Sequence, residues 1–185
     1  LTGIVNGRSG LVDLLVRQVV RRVSAGWLLL SLLLFPAVAA AAILIHSGFG
    51  GEPLALRTAQ LLPQMIVILL VALGEEFGWR GYALPKLQRT FNPFMSSLIL
   101  GLIWGFWHFP GYLIGVGVPL EMSFWVFLLW VLLATILMTW AYNQTRSVFV
   151  AILMHIAANA AFNYLSLLPE FTGQPVSFSI FLSLL

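Results

Sequence analysis

The chain has 185 residues, of which 61% are hydrophobic and only 8% are charged. A soluble domain carries about 25% charged residues, so this composition excludes a water-soluble fold and predicts the lipid bilayer as the solvent. Cysteine is absent, which excludes disulfides and thiolate metal sites. The basic residues that give the net charge of +3 sit between apolar stretches, unlike the basic surface of a nucleic-acid-binding protein.

Five apolar segments approach or reach the length of about 20 residues that a helix needs to cross the hydrocarbon core. They are predicted at residues 25–46, 61–79, 93–109, 122–142 and 147–168. The second helix is expected to continue toward Pro85, and the Asn92-Pro93 pair is a favourable N-cap and first helical position for the third. The sequence therefore predicts an all-α, polytopic transmembrane helix bundle that forms a single integral membrane domain over 1–185.

Two further segments flank these spans. Residues 9–23 place three arginines among apolar residues at helical spacing, which predicts an amphipathic helix on the membrane surface or a simple basic stop before the first span. Residues 176–185 form an apolar run half as long as a span. With the start at Leu1, this run predicts a partial C-terminal span in a piece of a longer chain. His46, which closes the first span, is expected at the membrane interface.

The basic residues are distributed unevenly around the five predicted spans. Eight of the nine fall on one side, and only Arg57 falls on the other. Because lysine and arginine accumulate in cytoplasmic loops, we predict a multi-pass protein of the cell membrane whose Arg- and Lys-rich loops are cytoplasmic. The eight residues are Arg8, Arg17, Arg21, Arg22, Arg80, Lys86, Arg89 and Arg146.

A small set of polar residues lies inside or at the ends of the apolar helices, where a charge costs about 2.5–3.5 kcal/mol on insertion scales. The set is Glu75, Glu76, Arg80, His108, His155, Asn159 and Asn163. Glu76 and Arg80 are four residues apart and can pair on one helix face, whereas Glu75 points about 100° away from that face. His155 and Asn159 likewise share a face. Intramembrane polar residues usually face a bundle interior or a water-filled cavity and mark function.

These groups could together hydrolyse an amide without a nucleophilic side chain. A carboxylate and a neutral imidazole can hold and deprotonate a water molecule, and a second imidazole and an amide can donate hydrogen bonds to a developing oxyanion. Two GxxxG pairs, Gly74/Gly78 and Gly101/Gly105, predict the close helix packing that would bring the groups together.

Each polar group also has a structural interpretation when it is taken singly. Glu76 and Arg80 could be an ion pair at a helix end with a snorkelling guanidinium, and His155 with Asn159 could be interhelical hydrogen-bonding groups. His108 could be a buried histidine bonded to a backbone carbonyl. A proton relay in a transporter is a further alternative, although the sequence has neither inverted repeats nor broken midplane helices.

Three motifs resemble those of the CPBP family of intramembrane peptidases, which includes the type II CAAX prenyl endopeptidases. GEEFGWRGYALPKLQ contains the EExxxR pattern, WGFWHFPGYL contains a histidine motif, and HIAAN gives HxxxN. They occur in the order of the family on three separate predicted spans. The histidine motif is often FxxxH in the family, whereas this chain has Trp104 in the Phe position. A bulky aromatic ring is retained, so we expect altered packing rather than lost chemistry.

The resemblance implies a role for each matching residue. Glu75 would be the general base, and His108 would help to bind and activate water. His155 and Asn159 would stabilise the oxyanion. Glu76 would complete the predicted catalytic set in a supporting role.

The resemblance also implies the supporting cation, the cofactor options and the partners. Arg80 would pair with the second glutamate and organise the second span. The cofactor stays open between a metal-free glutamate mechanism and a divalent metal such as zinc, for which Glu75, His108 and His155 could supply three ligands. The implied partners are membrane lipid and a membrane-bound or prenylated peptide, with no nucleic acid. Because some relatives are linked to bacteriocin self-immunity, a non-catalytic membrane partner on the same scaffold is the alternative function.

Overall fold

The computed structural model describes residues 7–10, 12, 22–57, 61–119 and 121–185. The described part of the chain is all-α, as predicted. Its helices are α1 (Ala25–Gly48), α2 (Leu61–Gly78), α3 (Leu84–Leu87), α4 (Pro93–Trp107), α5 (Phe109–Leu113), α6 (Phe124–Thr145), α7 (Val148–Tyr164), α8 (Pro169–Thr172) and α9 (Val176–Leu184). A π-helical segment, Trp79–Ala83, joins α2 to α3. The predicted amphipathic helix at 9–23 falls mostly outside the described residues.

Helices occupy the positions of all five predicted spans. Three of them are long and apolar enough to cross a membrane, namely Ala25–Gly48, Leu62–Leu87 and Phe124–Thr145. The second predicted helix continues past Pro85 as expected. The Asn92 cap is also confirmed, because its side chain accepts a hydrogen bond from the backbone N–H of Met95 at 2.8 Å.

The other two helices are shorter than predicted. α4 has 15 residues and ends at Trp107 rather than at 109, because Pro110 cannot supply the N–H that would continue the same helix. α7 has 17 residues and ends at Tyr164 rather than at 168. There the next residue, Leu165, is extended and forms an isolated antiparallel bridge with Leu56.

One of the two predicted small-residue contacts is present. A Cβ atom on Gly101 would lie 3.0 Å from the side chain of Leu132, and one on Gly105 would overlap a leucine side chain of α6. These glycines therefore allow α4 and α6 to pack closely and antiparallel. The prediction is wrong for Gly74/Gly78, where a Cβ would meet no described atom within 4 Å, because both glycines lie on the exposed face of α2.

Four exposed basic residues of the described part of the chain lie at the two ends of the bundle. Since α4 and α6 are antiparallel, the α3–α4 turn with Lys86 and Arg89 lies at the same end as the α6–α7 turn with Arg146. We call this the basic end. Arg57 lies at the opposite end, where its backbone N–H donates to the carbonyl of Tyr164 at 2.9 Å. Which end faces the cytoplasm stays a prediction.

The C-terminal apolar run forms α9, which packs against α1. Phe181 of α9 is fully buried, with its ring centroid 5.4 Å from that of Trp130 on α6. His46 Nδ1 lies 2.8 Å from the hydroxyl of Ser177, and both side chains are buried. The first turn of α9 therefore covers His46 at the end of α1, and its position at the membrane interface stays a prediction.

Candidate active site

A cavity of about 810 Å³ lies between α2, α4, α6 and α7. Its lining includes Glu75 of α2, His108 at the end of α4, and His155 and Asn159 of α7. Four of the five residues predicted as catalytic therefore converge on one cavity from three separate parts of the chain. The fifth, Glu76, is fully buried behind the cavity wall.

Glu76 forms the centre of a buried ionic group. Arg80 Nη1 donates to Glu76 Oε1 at 2.8 Å and to Oε2 at 3.0 Å, and both side chains are fully buried. His155 Nδ1 lies 2.8 Å from the same Oε1. Because a carboxylate paired with a guanidinium can only accept, His155 donates from Nδ1, which leaves its Nε2 for another partner. The predicted Glu76–Arg80 contact is confirmed, and its bond to His155 was not predicted.

Trp104 contacts four of the polar residues at the site. Its indole Nε1 donates to Glu75 Oε2 at 2.6 Å, and its carbonyl accepts a hydrogen bond from His108 Nδ1 at 2.9 Å. Its ring centroid lies 5.4 Å from that of His155, and the guanidinium carbon of Arg80 lies 4.5 Å from the ring. Trp104 is 6% exposed, so these contacts are held inside the bundle.

The role of Trp104 as a donor is one that the motif comparison missed. The sequence predicted altered packing at this position, but a phenylalanine ring has no N–H and could not donate to the Glu75 carboxylate. The sequence signal that could have indicated this donor was the tryptophan at the Phe position of the FxxxH motif. It could be interpreted only once the rotation of α4 relative to α2 was known.

The cavity has a polar wall and an apolar wall. On α7, Asn159 and Asn163 face the cavity, and Asn163 Nδ2 donates to the Asn159 carbonyl at 2.8 Å. The facing wall on α6 consists of Phe127, Trp130, Val131, Ala134 and Met138. Val67 and Val71 of α2 also line the cavity, although they are 59% and 40% exposed. The cavity is therefore open to the surroundings of the bundle along α2.

The residues suggested as zinc ligands have suitable donor atoms, but their side chains lie too far apart to bind one metal ion. His108 and His155 each use Nδ1 in a hydrogen bond to an oxygen, which is the pattern that leaves Nε2 as a ligand. However, in the described part of the chain no three His, Asp or Glu side chains are close enough together to hold a metal ion. Zinc stays a prediction.

Comparison with known proteins identifies the family. The sequence matches the family described as Type II CAAX prenyl endopeptidase Rce1-like over residues 57–161, which is more than half of the chain. The chain belongs to this family. It is also 33% identical over 141 residues to the CAAX prenyl protease 2 of Methanococcus maripaludis, covering 69% of this chain and 52% of that protein.

The Rce1-like match includes all the residues predicted as catalytic. All three motifs, from Glu75 to Asn159, lie within the matched residues 57–161. The chain spans about half the length of the curated relative it matches. The match therefore places this chain in a family of prenyl endopeptidases, and the apolar helices place it in a membrane.

Proposed function

We propose that this chain is an intramembrane endopeptidase that hydrolyses a peptide bond in a membrane-associated, prenylated protein or peptide. The observation that carries the proposal is the convergence of Glu75, His108, His155 and Asn159 on one cavity within the helix bundle. The CAAX prenyl endopeptidase family supports the same reaction class.

Glu75 is the proposed general base. Its half-buried carboxylate faces the cavity, and Trp104 bonds only Oε2, so Oε1 can accept a proton from water. His108 donates from Nδ1 to a backbone carbonyl, which leaves Nε2 to accept the second proton of that water in a hydrogen bond. The water oxygen then attacks the substrate carbonyl carbon as one proton passes to Glu75. When the C–N bond breaks, Glu75 returns this proton to the leaving amine.

His155 and Asn159 are proposed to stabilise the oxyanion. The Asn159 amide can donate from Nδ2 into the cavity that it lines. His155 can donate from Nε2 when it is protonated, and the Glu76 carboxylate then still accepts from Nδ1 and holds the ring in place. Arg80 in turn fixes that carboxylate. Donors held in place before the reaction typically contribute 10²–10³-fold each.

The two walls of the cavity favour a substrate with a lipid attached to a peptide. The apolar α6 wall, from Phe127 to Met138, suits a hydrocarbon chain, while the α7 wall with Asn159 suits a peptide backbone. The opening beside Val67 and Val71 would let the hydrocarbon enter from the bilayer.

Cleavage of a defined substrate tests this proposal. The full chain, reconstituted in liposomes, is expected to cleave a farnesylated CAAX peptide at least tenfold faster than the same peptide without the farnesyl group, as followed by mass spectrometry. His155→Ala should abolish cleavage while the helical circular dichroism is kept. Equal cleavage by wild type and His155→Ala would contradict the proposed site, and metal analysis of the same sample tests zinc.

Removing the indole donor should weaken catalysis without unfolding the protein. Trp104→Phe keeps an aromatic ring but loses the hydrogen bond to Glu75, and bonds to charged groups contribute about 1.5–3 kcal/mol. We expect kcat to fall about 10- to 100-fold, with KM changed less than twofold. Trp107→Phe is the matched control, because Trp107 lines the same cavity and is 56% exposed. Equal kcat values for the two variants would exclude a specific role for Trp104.

A further inference from the structure

A second concave site lies on the outer surface of the bundle near the basic end. It is a groove of about 350 Å³, and it shares no lining residue with the catalytic cavity. Most of its lining is apolar and consists of Trp79, Ala83, Leu87, Phe91, Leu100 and Ile103. Lys86 and Thr90 add the polar groups. Because Ile103 and Phe91 are 51% and 42% exposed, the groove is open to lipid.

Lys86, the cation that lines this groove, has no acidic partner among the described residues. Lys86 is exposed and its Nζ lies 4.6 Å from the Tyr82 ring centroid, while Arg89 is exposed one turn later. Two described glutamates lie at the catalytic site and the others lie at the opposite end of the bundle. Glu75 and Glu76 are the two at the catalytic site, and Glu52, Glu121 and Glu170 are those at the opposite end. The groove therefore combines an apolar lining with a positive charge that no described carboxylate neutralises.

We propose that this groove binds a phospholipid with an anionic headgroup. One acyl chain would lie along the apolar lining, and the anionic headgroup would be held by Lys86. An apolar trough alone would accept any lipid, whereas a cation in its lining favours anionic lipids over zwitterionic ones.

The position of the groove links this lipid to the catalytic site. Trp79 and Ala83, which line the groove, are the first and last residues of the π-helical segment. Arg80, in the same segment, points inward and holds Glu76. Short π-helical segments often occur at functional sites. The lipid would thus pack on the outer face of the π-helical segment. On the inner face of this segment, Arg80 holds the Glu76 carboxylate that bonds to His155.

Native mass spectrometry of the full chain tests the binding. Phosphatidylglycerol should be retained in preference to phosphatidylcholine, and Lys86→Gln should weaken phosphatidylglycerol binding about fivefold while weakening phosphatidylcholine binding less. Ile103→Trp, which fills the groove, should also reduce retention. Arg146→Gln is the matched control, since it removes an exposed cation from the same end but away from the groove.

The outcomes separate this proposal from its alternatives. Equal losses in Lys86→Gln and Arg146→Gln would overturn it, because they would indicate a general attraction of the basic end to anionic membranes. Competition by glycerol phosphate without acyl chains would overturn it in favour of a phosphate site. If the proposed peptidase function holds, hydrolysis should be faster in phosphatidylglycerol nanodiscs than in phosphatidylcholine nanodiscs. Only this expectation rests on the proposed function, so the binding measurement stands even if no hydrolysis is found.

Discussion

Glu75→Gln is expected to lower kcat for peptide hydrolysis about a thousandfold, the middle of the range for a general base. The amide cannot accept a proton from water, yet it can still accept the hydrogen bond from Trp104 through its oxygen. The side chain is only half-buried, so the melting temperature should stay within a few degrees of the wild type. Steady-state kinetics and thermal unfolding of the same purified sample measure both effects.

Glu170→Gln provides the control for this change. Glu170 lines the far part of the same cavity and is also half-buried, so it tests the loss of one negative charge without the loss of the base. It should retain kcat within about twofold. If Glu75→Gln hydrolyses substrate at the rate of Glu170→Gln, Glu75 is not the base.

Glu76→Gln, unlike Glu75→Gln, is expected to cause a large loss of stability. Removing one partner of a buried ion pair costs about 3–5 kcal/mol, because the other charge is left uncompensated. Here the Arg80 guanidinium would remain fully buried beside a neutral amide. Denaturant or thermal unfolding measures this loss. The neighbouring Glu75→Gln removes the same charge one residue earlier and serves as the comparison.

The double variant Glu76→Gln/Arg80→Met separates the structural part of this effect from the catalytic part. With both charges removed, most of the lost stability should return. Activity should not return, because an amide oxygen at position 76 can still accept from His155 Nδ1 but carries no negative charge to stabilise a protonated ring. Full activity in the double variant, or wild-type stability in Glu76→Gln, would contradict the assignment of Glu76 as the anchor of His155.

Much of the fold followed from local sequence. The apolar segments located the helices, Asn92 and Pro93 located the start of α4, and the i,i+4 spacing predicted the Glu76–Arg80 pair. These features depend on residues close together in the chain, so periodicity and capping rules are enough to find them. The three motifs likewise identified α2, α4 and α7 as helices that line the cavity, but not α6, which forms its apolar wall.

The remaining features depend on how the helices are rotated and packed. The Trp104–Glu75 and His155–Glu76 bonds join residues 29 and 79 positions apart, and no local pattern fixes such a contact. Likewise, His46 is polar and closes a span, but only the docking of α9 buries it. The π-helical segment at Trp79–Ala83 was not predicted, because its sequence is compatible with an ordinary α-helix.

The opening of the cavity beside Val67 and Val71 has a consequence for how the protein is assayed. A prenyl tail that slides in by lateral diffusion never leaves the hydrocarbon phase, and so avoids a cost of about 0.8 kcal/mol for each CH₂ exposed to water. The same lateral opening would also admit any other amphiphile whose apolar part has a similar width. Detergent monomers would therefore occupy the apolar α6 wall and act as competitive inhibitors, so apparent KM values measured in micelles would rise with detergent concentration.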